Sequence, residues 1–353
     1  MSGGTGGSDL VEQWGDLARS VGARFTDGPA YAAAAATLHR TTPHTVAIHR
    51  GDDLVAIAAF AARTLGSVTL ARSIGNGLGQ GGDVIAVDDR AADALAGHLA
   101  RRRHVLRLEQ FPADSPLLDA LARDRHWHVH TRVVSEIPTL SLRPDATARD
   151  VRSGRTLGQL RSARRKLAAD GREVAFELLR TADELDRRWE DMRRVAGLRA
   201  DSRPDWDAWL AGDRGTLVRT VLDAEATAGR LRILGITVGG VWVGHDIAVR
   251  CGTTWARYLT HFDPDHARLQ PGHQLMVWIV DHHRDLGIDR IHHGRGSTPV
   301  KEAWSNHAID AVDVWAVPDT VVGARALPPI MVAAATARAG VRAGVGRLAN
   351  RSS

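Results

Sequence analysis

This sequence has almost no cysteine and no long hydrophobic run. Cys251 is the only cysteine among 353 residues, which excludes an intramolecular disulfide and a thiolate-based metal site. No apolar stretch reaches the roughly 18 residues that a membrane-spanning helix needs. The first residues are rich in Gly and Ser and lack the basic and apolar regions of a signal peptide. We therefore expect a cytoplasmic protein without a transmembrane segment.

The sequence also lacks a strong charge of one sign. Lys and Arg together number 46 and Asp and Glu 41, giving a net charge of +5 at pH 7. This small excess permits a nucleic-acid partner but does not require one. The length suits two average domains, and a hydrophobic content of 44% is sufficient for a sizeable core.

The predicted elements occur in an order that repeats along the chain. Residues 1–142 have the pattern of helix, helix, three strands, helix, strand, helix, strand. After a linker around Pro144, residues 150–317 show the same gross order. The sequence thus predicts a mixed α/β (α+β) fold of two similar domains. Residues 318–353 form a basic tail rich in Ala and Arg, either solvated or arranged as a basic amphipathic helix.

The functional signal is concentrated between Leu231 and Trp304. Gly239-Gly240 separates two apolar strands and predicts a tight hairpin. Further along, Gln270-Pro271-Gly272-His273 opens a helix. A glycine at a helix start lets backbone N–H groups approach a phosphate, and the helix dipole adds to the attraction. This combination indicates a carrier with a pyrophosphate, and therefore acyl transfer.

Four segments of the second half resemble a known family. These are the basic helix Leu160–Gly171, the turn Thr260–His266, the helix opening Leu269–Leu275 and the segment Arg295–Trp304. In this order they resemble the GNAT-superfamily acyltransferase domain of the cellulose-biosynthesis-associated acetyltransferase group, which is related to the Fem-type aminoacyl transferases. The resemblance covers about residues 150–317. Residues 1–142 match only in element order, as a degenerate first GNAT-like domain would.

The resemblance implies two tandem GNAT-like domains, acyl-CoA (acetyl-CoA) as co-substrate and no metal. It places the donor at Gln270, Gly272, His273 and Gln274. The family's Arg/Gln-x-x-Gly-x-Gly/Ala phosphate loop is altered here, because Pro271 removes one N–H donor. The chain also has His292 where the family has an acid and Val300 where it has a tyrosine.

Four residues are candidates for the chemistry. His292 ends a short predicted strand, and an imidazole with its ordinary pKa near 6.5 suits a general base for an amine. His245 and Asp246 interrupt an apolar strand, which is costly unless they are paired or face a cleft. Tyr258 is the candidate acid that protonates the leaving thiolate. Each of these side chains also fits an ordinary packing role.

Three more residues are candidates for binding the substrate. Arg295 lies between two glycines, and Lys301 follows on a short helix, so either cation suits a phosphate or carboxylate. Trp304 belongs to the same family-like segment. His126, His128 and His130 alternate on one strand, a pattern of some zinc sites but equally of a solvated strand.

The sequence predicts an N-acyltransferase that moves an acyl group, with acetyl the leading candidate, from acyl-CoA to a primary amine on a small molecule or glycan. One alternative is a Fem-type transferase that uses aminoacyl-tRNA, with the basic face Arg161, Arg164, Arg165 and Lys166 holding the tRNA acceptor stem. Another is a degenerate GNAT scaffold that only binds. The oligomeric state stays open.

Overall fold

A computed structural model describes residues 6–75, 78, 82–201 and 209–331. Within the first half, its helices are α1 (Gly6–Ser20), α2 (Pro29–Leu38), α3 (Asp89–Arg101) and α4 (Pro116–Arg123), and its strands are β1 (Pro43–Arg50), β2 (Asp53–Leu65), β3 (Val68–Ser73), β4 (Ile85–Ala86), β5 (His104–Pro112) and β6 (Trp127–Ser141). A 3₁₀ turn, Phe25–Asp27, precedes α2.

The second half contributes a further set of elements. The helices are α5 (Ala148–Val151), α6 (Gly154–Ala169), α7 (Ala182–Asp201), α8 (Gly212–Thr227), α9 (Pro271–Asp281) and α10 (Pro299–Ala303), and the strands are β7 (Val174–Leu179), β8 (Leu231–Val238), β9 (Val241–Cys251), β10 (Thr254–Phe262), β11 (Arg290–His292) and β12 (His307–Pro318). A 3₁₀ turn, Pro264–Leu269, leads into α9.

Local signals in the sequence set many of these boundaries. Asp88 caps α3 by accepting the N–H of Ala91, as its type and position predict. The pair Gly239-Gly240 connects β8 and β9 with φ of 57° and 80°, which confirms the predicted hairpin. These left-handed angles are readily available only to glycine.

The strands form one mixed sheet in which each half completes the other. Its order is β1-β2-β3-β5-β12-β6-β11-β10-β9-β8-β7, with β4 beside β2. In the first half an antiparallel meander ends in the parallel pair β3–β5, and in the second half another ends in the parallel pair β10–β11. The last strand of each half lies beside the parallel pair of the other half, since β12 pairs with β5 and β6 with β11.

This exchange of final strands gives the sheet a pseudo-two-fold arrangement, with β6 and β12 paired at its centre. The expected mixed α/β fold with a repeated element order is therefore confirmed. The division at residues 142 and 150 stays a prediction, as does the separate tail from residue 318. Residues 332–353 of that tail lie outside the described residues.

Two hydrophobic layers cover β9 and β10 from opposite sides. On one side Ile247, Val249 and Ala256 pack with α7, α8 and the α1–α2 region of the first half. On the other side Ala248 and Trp255 pack with α9. The second-half sheet is thus buried on both faces, and the first half contributes directly to one of them.

Candidate functional site

The candidate site lies where the two parallel strands β10 and β11 separate. They pair over three residues only, Thr254–Ala256 with Arg290–His292. Strand β10 continues to Phe262, whereas the chain after His292 turns away at Gly294 and Gly296, whose φ angles are 72° and 75°. Helix α9 belongs to the connection between these strands, so its N-terminus follows the carboxyl end of β10. A gap at the carboxyl ends of parallel strands is a common binding place in α/β proteins.

The first turn of α9 has an open backbone donor. Pro271 has no N–H, but Gly272 keeps one, and no acceptor for it occurs among the described residues. No atom lies within 4 Å of the place where a Cβ on Gly272 would stand. His273 is half-buried and accepts a hydrogen bond at Nδ1 from Trp304 Nε1 (2.8 Å), which leaves the proton on its Nε2. These groups fit an anionic donor.

Two residues expected to contact ligands have structural roles instead. The Gln274 side chain is buried, and its Nε2 donates to the carbonyl oxygens of Leu160 (3.0 Å) and Leu269 (3.2 Å). The Trp304 indole is also fully buried, under the Arg152 guanidinium at 5.6 Å from the ring centroid. Both therefore help to hold α9 in place through these contacts within the protein. Gln270, in the left-handed region at φ 56°, marks the kink before the helix.

Tyr258 occupies an irregular position on β10. The register with β9 shifts between Arg257 and Leu259, so Tyr258 forms a bulge just beyond the point where β11 leaves. Its ring packs on Phe25 at 5.1 Å, and its buried hydroxyl has no hydrogen-bond partner within the described chain. Burial raises the pKa of Tyr258, so the hydroxyl keeps its proton and remains a donor.

The structure places His292 at the end of β11, beside this gap. Its Nδ1 accepts the N–H of Gly294 (3.3 Å), so the ring proton resides on Nε2. Burial, assisted by the charges of Arg24, Lys301 and Arg295, lowers the pKa of His292 to about 3. The expectation of an imidazole that titrates near 6.5 is therefore wrong, because a buried cation among other cations is disfavoured.

His245 and Asp246 are consecutive on β9 and therefore point to opposite faces of the sheet. Asp246 is fully buried and accepts from Arg257 (2.6 Å), Trp255 Nε1 (3.1 Å) and Thr260 Oγ1 (2.7 Å). His245 is fully buried between Trp242 Nε1 (3.3 Å) and His261 Nδ1 (3.0 Å). The structure thus pairs these polar groups within the core, which accounts for their presence in an apolar strand. Their catalytic role stays a prediction.

The loop after His292 brings two cations together. Lys301 Nζ donates to the carbonyl oxygens of Arg295 (2.6 Å) and Gly296 (3.0 Å) and so closes the loop. Burial and the charge of Arg257 lower the pKa of Lys301 to about 8. Arg295 Nη1 donates to Gln110 Oε1 (3.1 Å) in the first half. Lys301 therefore contacts the backbone of Arg295, while the Arg295 guanidinium contacts Gln110.

The first half supplies polar side chains that the sequence did not single out. The charge of Arg24 acts on both His292 and Arg295, and that of Arg295 acts on the fully buried Tyr31. Local patterns do not reveal such residues, because only the packing of the 3₁₀ turn Phe25–Asp27 against β10 brings this segment to the site. Sequence patterns also gave no indication that Arg257 and His293 form a pair. In the structure, Arg257 Nη1 and His293 Nδ1 lie 2.9 Å apart.

Other candidates fall elsewhere. His126 and His128 both contact Asp319, at 3.5 and 2.5 Å, on the far part of β6. Over the described ranges, no group of three or more His, Cys, Asp or Glu side chains is arranged to hold a metal. Cys251 is buried, and burial raises its pKa, which disfavours a thiolate. In the same part of the chain, every helix is too short or too polar to cross a membrane.

Comparison with known protein families shows what the segment at this site is similar to. A family described as "Acetyltransferase (GNAT) domain" matches residues 154–302, which include β10, α9, β11 and most of α10. The comparison with curated protein sequences found no match. Residues 154–302 of this chain are therefore similar to the GNAT acetyltransferase domain.

Solved structures share the whole fold at low sequence identity. FemX is similar with a TM-score of 0.61 and 9% identity, over 88% of this chain and 96% of FemX. The C-terminal domain of a putative lysylphosphatidylglycerol synthetase from Agrobacterium fabrum has a TM-score of 0.56 and 14% identity. The match covers 90% of this chain and 94% of that domain. L-PGS from Bacillus licheniformis has a TM-score of 0.50 and 11% identity, and the match covers 87% of this chain and 95% of L-PGS. These likenesses define the architecture of both halves together.

Proposed function

We propose that this protein is an N-acyltransferase that moves an acyl group, with acetyl the leading candidate, from acyl-CoA to a primary amine. The supporting observation is the gap between β10 and β11, with the unpartnered Tyr258 hydroxyl on one strand and the His292 ring on the other. The GNAT domain match covers the same segment. The narrower kinship with the cellulose-biosynthesis-associated group rests on the four sequence segments alone.

On the donor side, the N–H of Gly272 and the Nε2–H of His273 would bind the pyrophosphate, assisted by the dipole of α9. The open space above Gly272 accommodates such a group. Gln274 and Trp304 act indirectly, since they fix the position of the first helical turn.

In the reaction, the amine nitrogen attacks the thioester carbonyl carbon, the carbon–sulfur bond breaks, and the sulfur takes a proton. The Tyr258 hydroxyl is a protonated donor and would supply that proton. His292, neutral with its proton on Nε2, would donate a hydrogen bond to the carbonyl oxygen as negative charge develops there. The incoming ammonium group would lose its proton to solvent, because His292 is too weak a base to remove it.

Direct binding and turnover test this function. We expect acetyl-CoA to raise the melting temperature and bound CoA to be detected by calorimetry, with thiol release once a panel of primary amines is added. Gly272→Val should weaken CoA binding at least tenfold, about 1.4 kcal/mol. The control is Gly154→Val: Gly154 also has no atom within 4 Å of its Cβ position, but it begins α6. Unchanged CoA affinity in a folded Gly272→Val protein would remove this loop from the site.

One observation favours aminoacyl-tRNA as a second candidate donor. Helix α6 contacts the turn before α9, and Arg161, Arg165 and Lys166 are exposed there without a salt bridge to any described carboxylate. Such a basic face suits RNA phosphates. If wild type binds charged tRNA but not CoA, with an affinity that falls steeply with salt, this candidate replaces the first. If neither donor binds, the scaffold alternative is correct.

A further inference from the structure

The half-buried cations Arg295 and Lys301 differ from the other cations near the gap because no described carboxylate forms a salt bridge with them. Arg24 forms salt bridges with Asp27 (3.3 Å) and Asp83 (3.0 Å). Arg257 pairs with Asp246. Arg295, by contrast, contacts the neutral amide of Gln110, and Lys301 contacts backbone carbonyl oxygens. A cation that is partly withdrawn from water is stabilised by an anionic partner, so two half-buried cations without a paired carboxylate indicate a place for an anion.

The contact between Gln110 and Arg295 depends on an unusual backbone. Gln110 has φ 50°, a left-handed conformation that costs free energy in a residue other than glycine. It lies where the register of β5 with β12 shifts, and its N–H donates to Asp313 Oδ1 (3.0 Å). This bulge holds the Gln110 side chain beside Arg295, across the boundary between the two halves. Gln110 thus orients the guanidinium while neutralising none of its charge.

Charged groups of both signs act on Arg295. Burial and the neighbouring charge of Arg24 lower the pKa of Arg295 to about 10, despite the opposing effects of Tyr31, Asp27 and Asp313. Asp83, on the segment before β4, is also in this network, and burial raises its pKa to about 7. An anionic ligand would therefore stabilise the charged form of Arg295 and offset the effects of burial and of Arg24.

We propose that Arg295 recognises an acidic group on the amine acceptor, a carboxylate or a phosphate. The proposal rests on the acyltransferase function above and names the chemistry of its acceptor. Arg295 approaches Tyr31 and Arg24 of the first half, whereas Gly272 and His273 belong to α9, which covers the other face of the sheet. An anion at Arg295 therefore belongs to the acceptor and not to the pyrophosphate of the donor. The half-buried guanidinium has N–H donors left for a bidentate contact.

Matched amines test this assignment. Glycine is compared with glycinamide for the carboxylate arm, and phosphoethanolamine with ethanolamine for the phosphate arm. Binding of each compound to the full chain is measured by calorimetry without donor, and acetyl transfer is measured by thiol release. We expect at least one acidic compound to bind at least tenfold more tightly than its neutral partner. The arm with the larger ratio identifies the acidic group.

Variants assign the preference to Arg295. Arg295→Gln should reduce the ratio of the affinities for the acidic and the neutral amine to near one, while the affinity for acetyl-CoA stays unchanged. Arg295→Lys should retain part of the preference for the acidic amine. Gln110→Ala should reduce the ratio less than Arg295→Gln, because it removes only the orientation. Arg290→Gln is the matched control, since it removes an exposed arginine at the other end of β11.

Several results would overturn the proposal. Equal binding of acidic and neutral amines to wild type would refute an acidic acceptor. A ratio that survives Arg295→Gln, or falls equally in Arg290→Gln, would refute the role of Arg295. Loss of acetyl-CoA affinity in Arg295→Gln would assign the cation to the donor. Failure of the acyltransferase function gives a different result. Acetyl-CoA would then not bind to wild type, whereas the binding preference for acidic amines would still be measurable.

Discussion

The buried state of His292 predicts a specific loss of stability in acid. As the pH falls, the unfolded chain takes up a proton near the ordinary histidine pKa of 6.5, whereas the folded protein does so only at about 3. Protonation therefore favours the unfolded state throughout this interval, so stability falls from about pH 6.5 towards 3 and the loss is constant below. From about pH 6.5 to pH 5 the pH changes by about 1.5 units. At about 1.36 kcal/mol per unit, the free energy of unfolding falls by about 2 kcal/mol.

The variant His292→Asn isolates this contribution. Its side-chain oxygen replaces Nδ1 as the acceptor for the Gly294 N–H, but it does not titrate. We expect the variant to be less stable than wild type at pH 7.5, because the smaller side chain leaves a cavity. Between pH 7.5 and 5, however, its free energy of unfolding should fall by about 2 kcal/mol less than that of wild type.

Urea denaturation followed by the fluorescence of the ten tryptophans measures both free energies at both pH values. His39→Asn is the control, because His39 is an exposed histidine at the end of α2, and it should keep the wild-type pH dependence. If His292→Asn loses as much stability in acid as wild type, His292 is not a neutral buried group. Its proposed role as an Nε2–H donor would then be wrong.

Three further outcomes follow from the same geometry. Tyr258→Phe should lower kcat by about 10² in the acyl-transfer assay. Urea denaturation should show equal or greater stability, because the variant lacks a buried hydroxyl that has no partner within the described chain. A normal kcat would exclude Tyr258 as the acid. Asp246→Asn should cost about 3–5 kcal/mol in the same denaturation experiment, because it removes the charge of the carboxylate that pairs with the buried Arg257. A cost below about 1 kcal/mol would contradict the importance of this pair. Lys301→Met should raise KM for the acceptor and leave kcat nearly unchanged. In wild type, KM should rise above about pH 8 as Lys301 loses its charge. If KM changes neither in the variant nor with pH, the charge of Lys301 does not act on the acceptor.

The sequence by itself determined the features that depend on near neighbours. The hairpin at Gly239-Gly240, the cap at Asp88 and the helix that begins after Gln270 follow from turn and capping chemistry within a few residues. The repeated order of helices and strands also follows from local periodicity, and with it the fold class. The closeness of Arg295 to Lys301 was accessible for the same reason, because six positions separate them.

Tertiary structure alone decided which polar residues are free to act. Asp246 and His245 have the sequence pattern of site residues, yet partners on β10 engage both of them within the core. Burial shifts His292 away from its ordinary titration, and no sequence pattern contains that information, since desolvation depends on everything packed around the ring. Gln110 meets Arg295 across 185 positions only because the two halves exchange their final strands and form one sheet.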